Sequence, residues 1–336
     1  MTILLTGGTG YIGSHIASVL LSKQYKVVIV DNLSNSTEDV VNNLLSLHLD
    51  ADLHFIKGDV ANKQQLDEIF SKQQIDAVIH LAGYKAVKES VSQPTKYYRN
   101  NIDSSLTLLE VMAAHDVTKL IFSSSATVYG SAAMPYDETM QIGQNITNPY
   151  GQTKFMIEQI LKDACTADPK NKFTSLRYFN PIGAHPSGLL GEQPSDIPNN
   201  LMPYIQQVAS GELKELHVFG DDYPTPDGTC LRDYIHVMDL AEAHVAALGK
   251  LQNGYAAYNI GTGKATSVLE LMQAFEHVND VSIPYVIDTR RSGDLAECYA
   301  DTSLATAKLD WRASKTIEDA CRDSWNFTNK LMDKKS

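Results

Sequence analysis

An α/β fold built on a doubly wound parallel sheet, with a smaller mixed α/β substrate region, is predicted for this 336-residue chain by three observations. A glycine-rich turn, Gly7-Gly8-Thr9-Gly10-Tyr11-Ile12-Gly13, directly follows a short apolar run. Apolar runs recur at residues 3–5, 27–30, 54–56, 77–81, 120–122 and 175–178, with helical stretches between them. Their apolarity is near-continuous rather than alternating, which marks strands covered on both faces by crossover helices.

Each run places something useful at its carboxyl end, where doubly wound sheets bind ligands. After the first, glycines at 7, 10 and 13 permit a sharp strand-to-helix turn. They also let backbone N–H groups approach a pyrophosphate and allow the helix to pack closely on the sheet. The second ends at Asp31, about twenty residues beyond the central glycine, where an acid accepts hydrogen bonds from ribose hydroxyls. An acid there also repels a 2′-phosphate, so NAD is favoured over NADP. The third run is followed by Asp59, the fourth by Ala82 and Gly83, the fifth by Ser123-Ser124-Ser125. Residues 1–180 therefore read as a dinucleotide-binding Rossmann domain. Beyond Tyr178 the rhythm breaks into Pro- and Gly-rich sequence over 181–203, then a short helix and an Asp/Pro/Gly loop at 220–228. Residues 181–336 read as the substrate domain, with segments near 237–262 expected to return to the first sheet. Gly261-Thr262-Gly263-Lys264 resembles the end of a phosphate-binding loop, but the first glycine that motif needs is Tyr258, so a P-loop is rejected.

Bulk properties narrow the partners. A net charge of −12 argues against a general nucleic-acid or membrane-surface binder, so an anionic ligand has to be met by a few local cations. The four cysteines, Cys165, Cys230, Cys298 and Cys321, have neither disulfide-framework nor zinc-site spacing, and no metal is expected. No apolar stretch approaches membrane-spanning length and the first strand leaves no room for a signal peptide, so a reducing cytoplasm is the expected location.

Tyr150 and Lys154 stand four residues apart, just after the helix-start signal Asn148-Pro149, and so share one helix face. Tyrosine, with an ordinary pKa of about 10, is a poor base at neutral pH; a neighbouring ammonium and a cationic nicotinamide ring both favour its phenolate. A depression of roughly three units is expected, corresponding to about 4 kcal/mol. Ser125, at the end of the preceding strand, supplies a hydroxyl able to share a substrate proton with it.

With these residues in view, the chain resembles the extended short-chain dehydrogenase/reductase family nearly end to end, in the branch that inverts nucleotide sugars at C4. The matching stretches are TGGTGYIGSH, DNLSNS, HLAGYKAVKESV, FSSSATVYG, YGQTK, RYFNPIGAHPSG, IPNNLMPYI, VFGDDYPTPDGTCLRDYIHVMDLA and RRSGDL. The resemblance implies an isomerase that interconverts UDP-glucose and UDP-galactose through a 4-keto sugar with tightly bound NAD, acting as a homodimer. Implied at the cofactor are Gly7, Gly10, Tyr11, Ile12 and Gly13; Asp31, Asn32, Asn35 and Ser36; Asp59 and Val60; Leu81, Ala82, Gly83 and Lys85; and Asn100, Ser123, Tyr150, Lys154 and Tyr178. Implied at the UDP-hexose are Lys85, Ser125, Tyr150, Asn180, Asn200, Leu201, His217, Phe219, Arg232, Arg291, Asp294 and Cys298. Tyr150, Lys154 and Ser125 are implied as catalytic.

Two departures from bacterial relatives stand out. Thr153 replaces a common Ser and keeps its hydroxyl. Cys298 stands where some relatives carry a bulky Tyr bordering the sugar pocket, so added volume implies turnover of UDP-GlcNAc and UDP-GalNAc as well. A 4,6-dehydratase or decarboxylase using the same Tyr, Lys and NAD is a competing expectation, but a dehydratase should show an Asp-Glu pair after the fifth-strand hydroxyl, and Ala126-Thr127 stand there. A catalytically silent NAD-binding sensor is another, opposed by intact Tyr150, Lys154 and Ser125.

Overall fold

The computed structural model describes residues 1–194, 198, 200–291 and 293–335. Its first half alternates strand and helix in chain order: β1 (Thr2–Thr6), α1 (Tyr11–Ser22), β2 (Lys26–Asp31), α2 (Asp39–Leu47), β3 (Leu53–Lys57), α3 (Lys63–Gln73), β4 (Ala77–His80), α4 (Val87–Ser92), α5 (Pro94–Ala114), β5 (Lys119–Ser125), α6 (Pro149–Ala167) and β6 (Lys172–Tyr178). The second half adds β7 (Asn180–Ile182), α7 (Leu201–Ala209), β8 (Leu216–Phe219), β9 (Leu231–Arg232), β10 (Tyr234–His236), α8 (Val237–Gly249), β11 (Gly254–Ile260), β12 (Thr266–Ser267), α9 (Val268–Asn279), β13 (Tyr285–Asp288), β14 (Glu297–Cys298), α10 (Ser303–Leu309) and α11 (Ile317–Lys335).

Seven of these strands form one wholly parallel sheet in the order β11-β6-β5-β4-β1-β2-β3. The order reverses between β1 and β4, which opens a crevice at their carboxyl ends. Strand alternation sorts the core into two layers. Ile3, Leu5, Val27, Ile29, Ala77 and Ile79 pack with α1 and α8 on one face; Leu4, Val28, Val30, Val78, Leu120 and Phe122 pack with α3, α5 and α6 on the other. The near-continuous apolar runs follow from this double burial. At the edge of this sheet β11 pairs with β6 from Gly254↔Lys172 to Ile260↔Tyr178.

The remaining elements enclose a separate core of Met202, Ile205, Leu216, Val218, Tyr234, Leu271, Phe275 and Cys321. Small sheets β7–β10, β12–β9–β14 and β8–β13 carry the segments singled out for substrate.

Candidate active site

The glycine turn is built as its spacing requires. Gly7 sits at φ +71°, and a Cβ on it would lie 2.9 Å from the Ala82 amide nitrogen; a Cβ on Gly13 would lie 2.3 Å from the Gly7 carbonyl oxygen. The first turn of α1 starts at Gly10 with no side-chain cap and no acid in its first turn, so its amides face outward at the positive end of the helix. Buried Asp31 accepts from Thr9 N at 3.1 Å and Leu33 N at 2.9 Å, one bond per oxygen, which leaves lone pairs for two ribose hydroxyls. Cradle, open amides and buried acid together fit a dinucleotide.

Around this turn, Thr9 Oγ1 meets Ser36 Oγ at 2.6 Å, the exposed Asn32 accepts from Ser34 N, and Asp59 accepts from Ala61 N. Asn35 is exposed and Val60 is buried beneath the site. Ile12 and Leu81 pack on the sheet, and Tyr11 donates to the Gly183 carbonyl at 2.7 Å, tying α1 to the start of the substrate region. Asn100 donates to Asn101, whose own amide bridges Tyr84 and Thr153.

Helix α6 is launched by Asn148, whose side chain accepts from Gly151 N at 2.8 Å, with Pro149 in its first turn. That fixes Tyr150 and Lys154 over the end of β5. Lys154 Nζ donates to the Ser123 carbonyl at 2.6 Å and lies 5.7 Å from the centre of the Tyr150 ring. Ser123 Oγ hydrogen-bonds Tyr178 OH. Ser125 Oγ accepts from both Thr127 N and Thr127 Oγ1, so its own proton is free to point at Tyr150, whose ionised form it favours. Burial nevertheless raises the Tyr150 phenol, opposed by Ser125, and pulls Lys154 down to about 7, opposed by Glu158. The expected phenolate-favouring shift is thus absent from the protein's own field. One of the three Lys154 N–H donors goes to the Ser123 carbonyl, the ammonium stands 5.7 Å from the Tyr150 ring centre, and the second expected cation belongs to the cofactor.

The residues singled out for substrate fall into pairs. Lys85 Nζ and Asn200 Nδ2 both donate to Glu192 Oε1 at 2.9 Å. Arg232 binds Asp294, and the Arg291 guanidinium lies 4.0 Å over the Phe219 ring. Asn180 begins β7, Leu201 begins α7 and packs on the second core, and His217 Nδ1 meets Asp288 at 2.7 Å. Cys298 pairs with Arg232 across β14 and β9, and packs against the cluster holding Ala126 and Val128, just past Ser125.

Four polar residues that sequence reading passed over are central here: Asn101, Glu158, Arg177 and Glu192. Glu158 alone carried a readable signal, a carboxylate one turn beyond Lys154.

A parallel sheet that cradles a dinucleotide beside a Tyr-Lys-Ser cluster and an arginine-bearing anion region defines a nucleotide-cofactor enzyme acting on an anionic substrate. The profile of the NAD dependent epimerase/dehydratase family matches residues 3–261, and the chain belongs to that family. Bacillus subtilis UDP-glucose 4-epimerase is 52% identical over 330 residues, covering 97% of this chain and 96% of its own. The crystal structure of UDP-glucose 4-epimerase from Bifidobacterium longum, in complex with NAD+ and UDP, superposes with a TM-score of 0.94 at 49% identity over 98% of each chain. The UDP-Glc/GlcNAc 4-epimerase of Campylobacter jejuni is 34% identical with a TM-score of 0.85, over 98% of this chain and 99% of that one.

Proposed function

We propose that this protein is a UDP-glucose 4-epimerase, inverting C4 to interconvert UDP-glucose and UDP-galactose. The observation that carries the reading is the convergence of Tyr150, Lys154 and Ser125 at the crevice where the glycine turn and Asp31 hold a dinucleotide. Bound NAD supplies the acceptor, and afterwards the donor, of the C4 hydride.

The protein's own contribution is placement and proton handling. The Tyr150 phenolate takes the O4 proton through the bridging Ser125 hydroxyl and later returns it to O4 of the opposite epimer, so the phenolate is regenerated each cycle. Lys154 holds the phenolate's charge and anchors the cofactor ribose. Arg232 and Arg291 grip the diphosphate, and Phe219 packs on the uracil. Because those contacts hold the UDP and leave the hexose loosely bound, the ring can turn its other face to the hydride. Residues 1–180 serve NAD and residues 181–336 serve the UDP-sugar, with the segment near 237–262 lending α8 and β11 to the sheet.

In the decisive assay, purified protein converts UDP-glucose to UDP-galactose, and Tyr150→Phe lowers kcat by about 10²–10⁴-fold while retaining its NAD. Near-normal turnover by that variant with cofactor intact would remove Tyr150 from its role.

The Cys298 environment favours a second substrate pair, UDP-GlcNAc and UDP-GalNAc. The half-buried Cys298 stands beside the turn that follows Ser125, and its side chain is far smaller than a Tyr at that position. The exposed apolar side chains Val87, Val91, Leu106 and Met156, carried by α4, α5 and α6, support a homodimer; a monomer in sedimentation at micromolar concentration would refute it. Four free cysteines, three of them buried, fit a reducing cytoplasm, and localisation of a tagged chain elsewhere would contradict it.

A further inference from the structure

Glu158 lies on α6 one turn beyond Lys154, 2% exposed, and has no part in the proton transfers above. Its carboxylate is gripped from two strands. Ser124 Oγ donates to Oε1; Arg177 Nε donates to Oε1 at 3.0 Å and Nη2 to Oε2 at 2.6 Å. The sheet register puts Ser124 directly beside Arg177, between Ser123, whose carbonyl accepts from Lys154, and Ser125 at the end of β5. Arg177 also donates Nη1 to Tyr129 OH at 2.9 Å, and Tyr129 donates to Asn259 at 2.7 Å, so the network spans β5, β6, β11 and α6.

We propose that Glu158 is a positioning residue for the epimerisation: clamped by Ser124 and Arg177, it fixes α6 against the end of β5 and supplies the negative charge that Lys154 faces from inside the protein. The groups bearing on Lys154 are Tyr150 on its own helix, the Ser123 carbonyl and the Phe122 ring on β5, the ring 4.8 Å away, His80 from β4 and Glu158, with Arg177 from β6 committed to Glu158. His80 is kept neutral by burial and by Lys154 itself, so Glu158 is the carboxylate of the set. Burial draws Lys154 toward neutrality and Glu158 opposes it. Without that charge, the ammonium needed beside the Tyr150 phenolate is depleted.

This inference rests on the epimerase reading, and one set of assays separates the two. Glu158→Gln keeps the shape but removes the charge and turns one accepting oxygen into a donor facing Arg177 or Ser124; kcat is expected to fall about tenfold, one limb of the kcat–pH profile to move about one unit toward lower pH, and KM and bound NAD to change little. Glu158→Gln with Arg177→Met leaves no buried charge orphaned and so tests the limb in a fold free of that strain; because the opposing guanidinium is removed as well, its limb moves in the same direction but by less than in the single variant. Ser124→Ala, which retains the carboxylate, lowers kcat with both limbs in place. A purely structural ion pair predicts unmoved limbs in both Gln variants, and that result overturns the inference. Absence of UDP-glucose turnover by the unsubstituted protein would instead overturn the epimerase reading.

Discussion

Tyr150 and Lys154 each carry a field that disfavours the charge they need, since burial raises the phenol and lowers the ammonium to about 7. Ser125 is the neighbour that opposes burial at the phenol, as Glu158 does at the ammonium. The pairing of Tyr150 with Lys154 was legible because helical spacing puts both on one face. Asn101, Arg177 and Glu192 were not, because each reaches its partner across tens of residues: Asn101 to Thr153, Arg177 to Glu158, Glu192 to Lys85. At Cys298 the decisive quantity is volume. Wild type is expected to epimerise UDP-GlcNAc, and Cys298→Tyr to lose that activity by at least about tenfold while keeping UDP-glucose turnover, in parallel assays of the two substrates. Wild type inert toward UDP-GlcNAc would dispose of the second substrate pair.

The β1–α1 turn shows how closely one element constrains another. A methyl group at Gly13 would meet the Gly7 carbonyl oxygen at 2.3 Å and Gly8 Cα at 2.8 Å, both backbone atoms with nowhere to retreat. Gly13→Ala is expected to destabilise the fold by about 1–3 kcal/mol and to strip NAD from the purified protein, read by thermal unfolding and by cofactor released on denaturation. An unchanged melting temperature with full NAD content would show that the helix shifts freely. The six strands read from apolar runs all exist, each extended by a residue or more at one end or both except β4, which ends at His80, one residue short of the predicted run. α6 begins where Asn148-Pro149 signalled. Elements such as β9, β12 and β14, two residues each, carry no pattern of their own and exist only as partners of one another.

Across the whole molecule, three buried histidines make stability depend on pH. Burial holds His15 and His80 down to about 3 and His244 to about 4, whereas each titrates near 6.5 when exposed. Below about pH 6.5 the unfolded chain binds protons that the native state refuses, so stability is full above that pH and is lost as the pH falls toward the depressed values. The loss is expected to reach as much as about 1.4 kcal/mol per pH unit for each histidine. Melting temperatures measured from pH 7 to pH 5 should fall steadily, and a flat profile would mean that these rings protonate in place.

Composition, apolar rhythm and short-range spacing by themselves determined the parallel sheet, the dinucleotide turn with its Asp31, and the Tyr150–Lys154 face, because each is encoded within a few residues by chain geometry. Only the tertiary structure decided that Glu158 of α6 pairs with Arg177 of β6, that Glu192 joins Lys85 to Asn200, and that Cys298 lies beside the turn following Ser125. Those contacts connect residues far apart in the chain, and buried charge and packing volume take their values from neighbours that only the closed fold supplies.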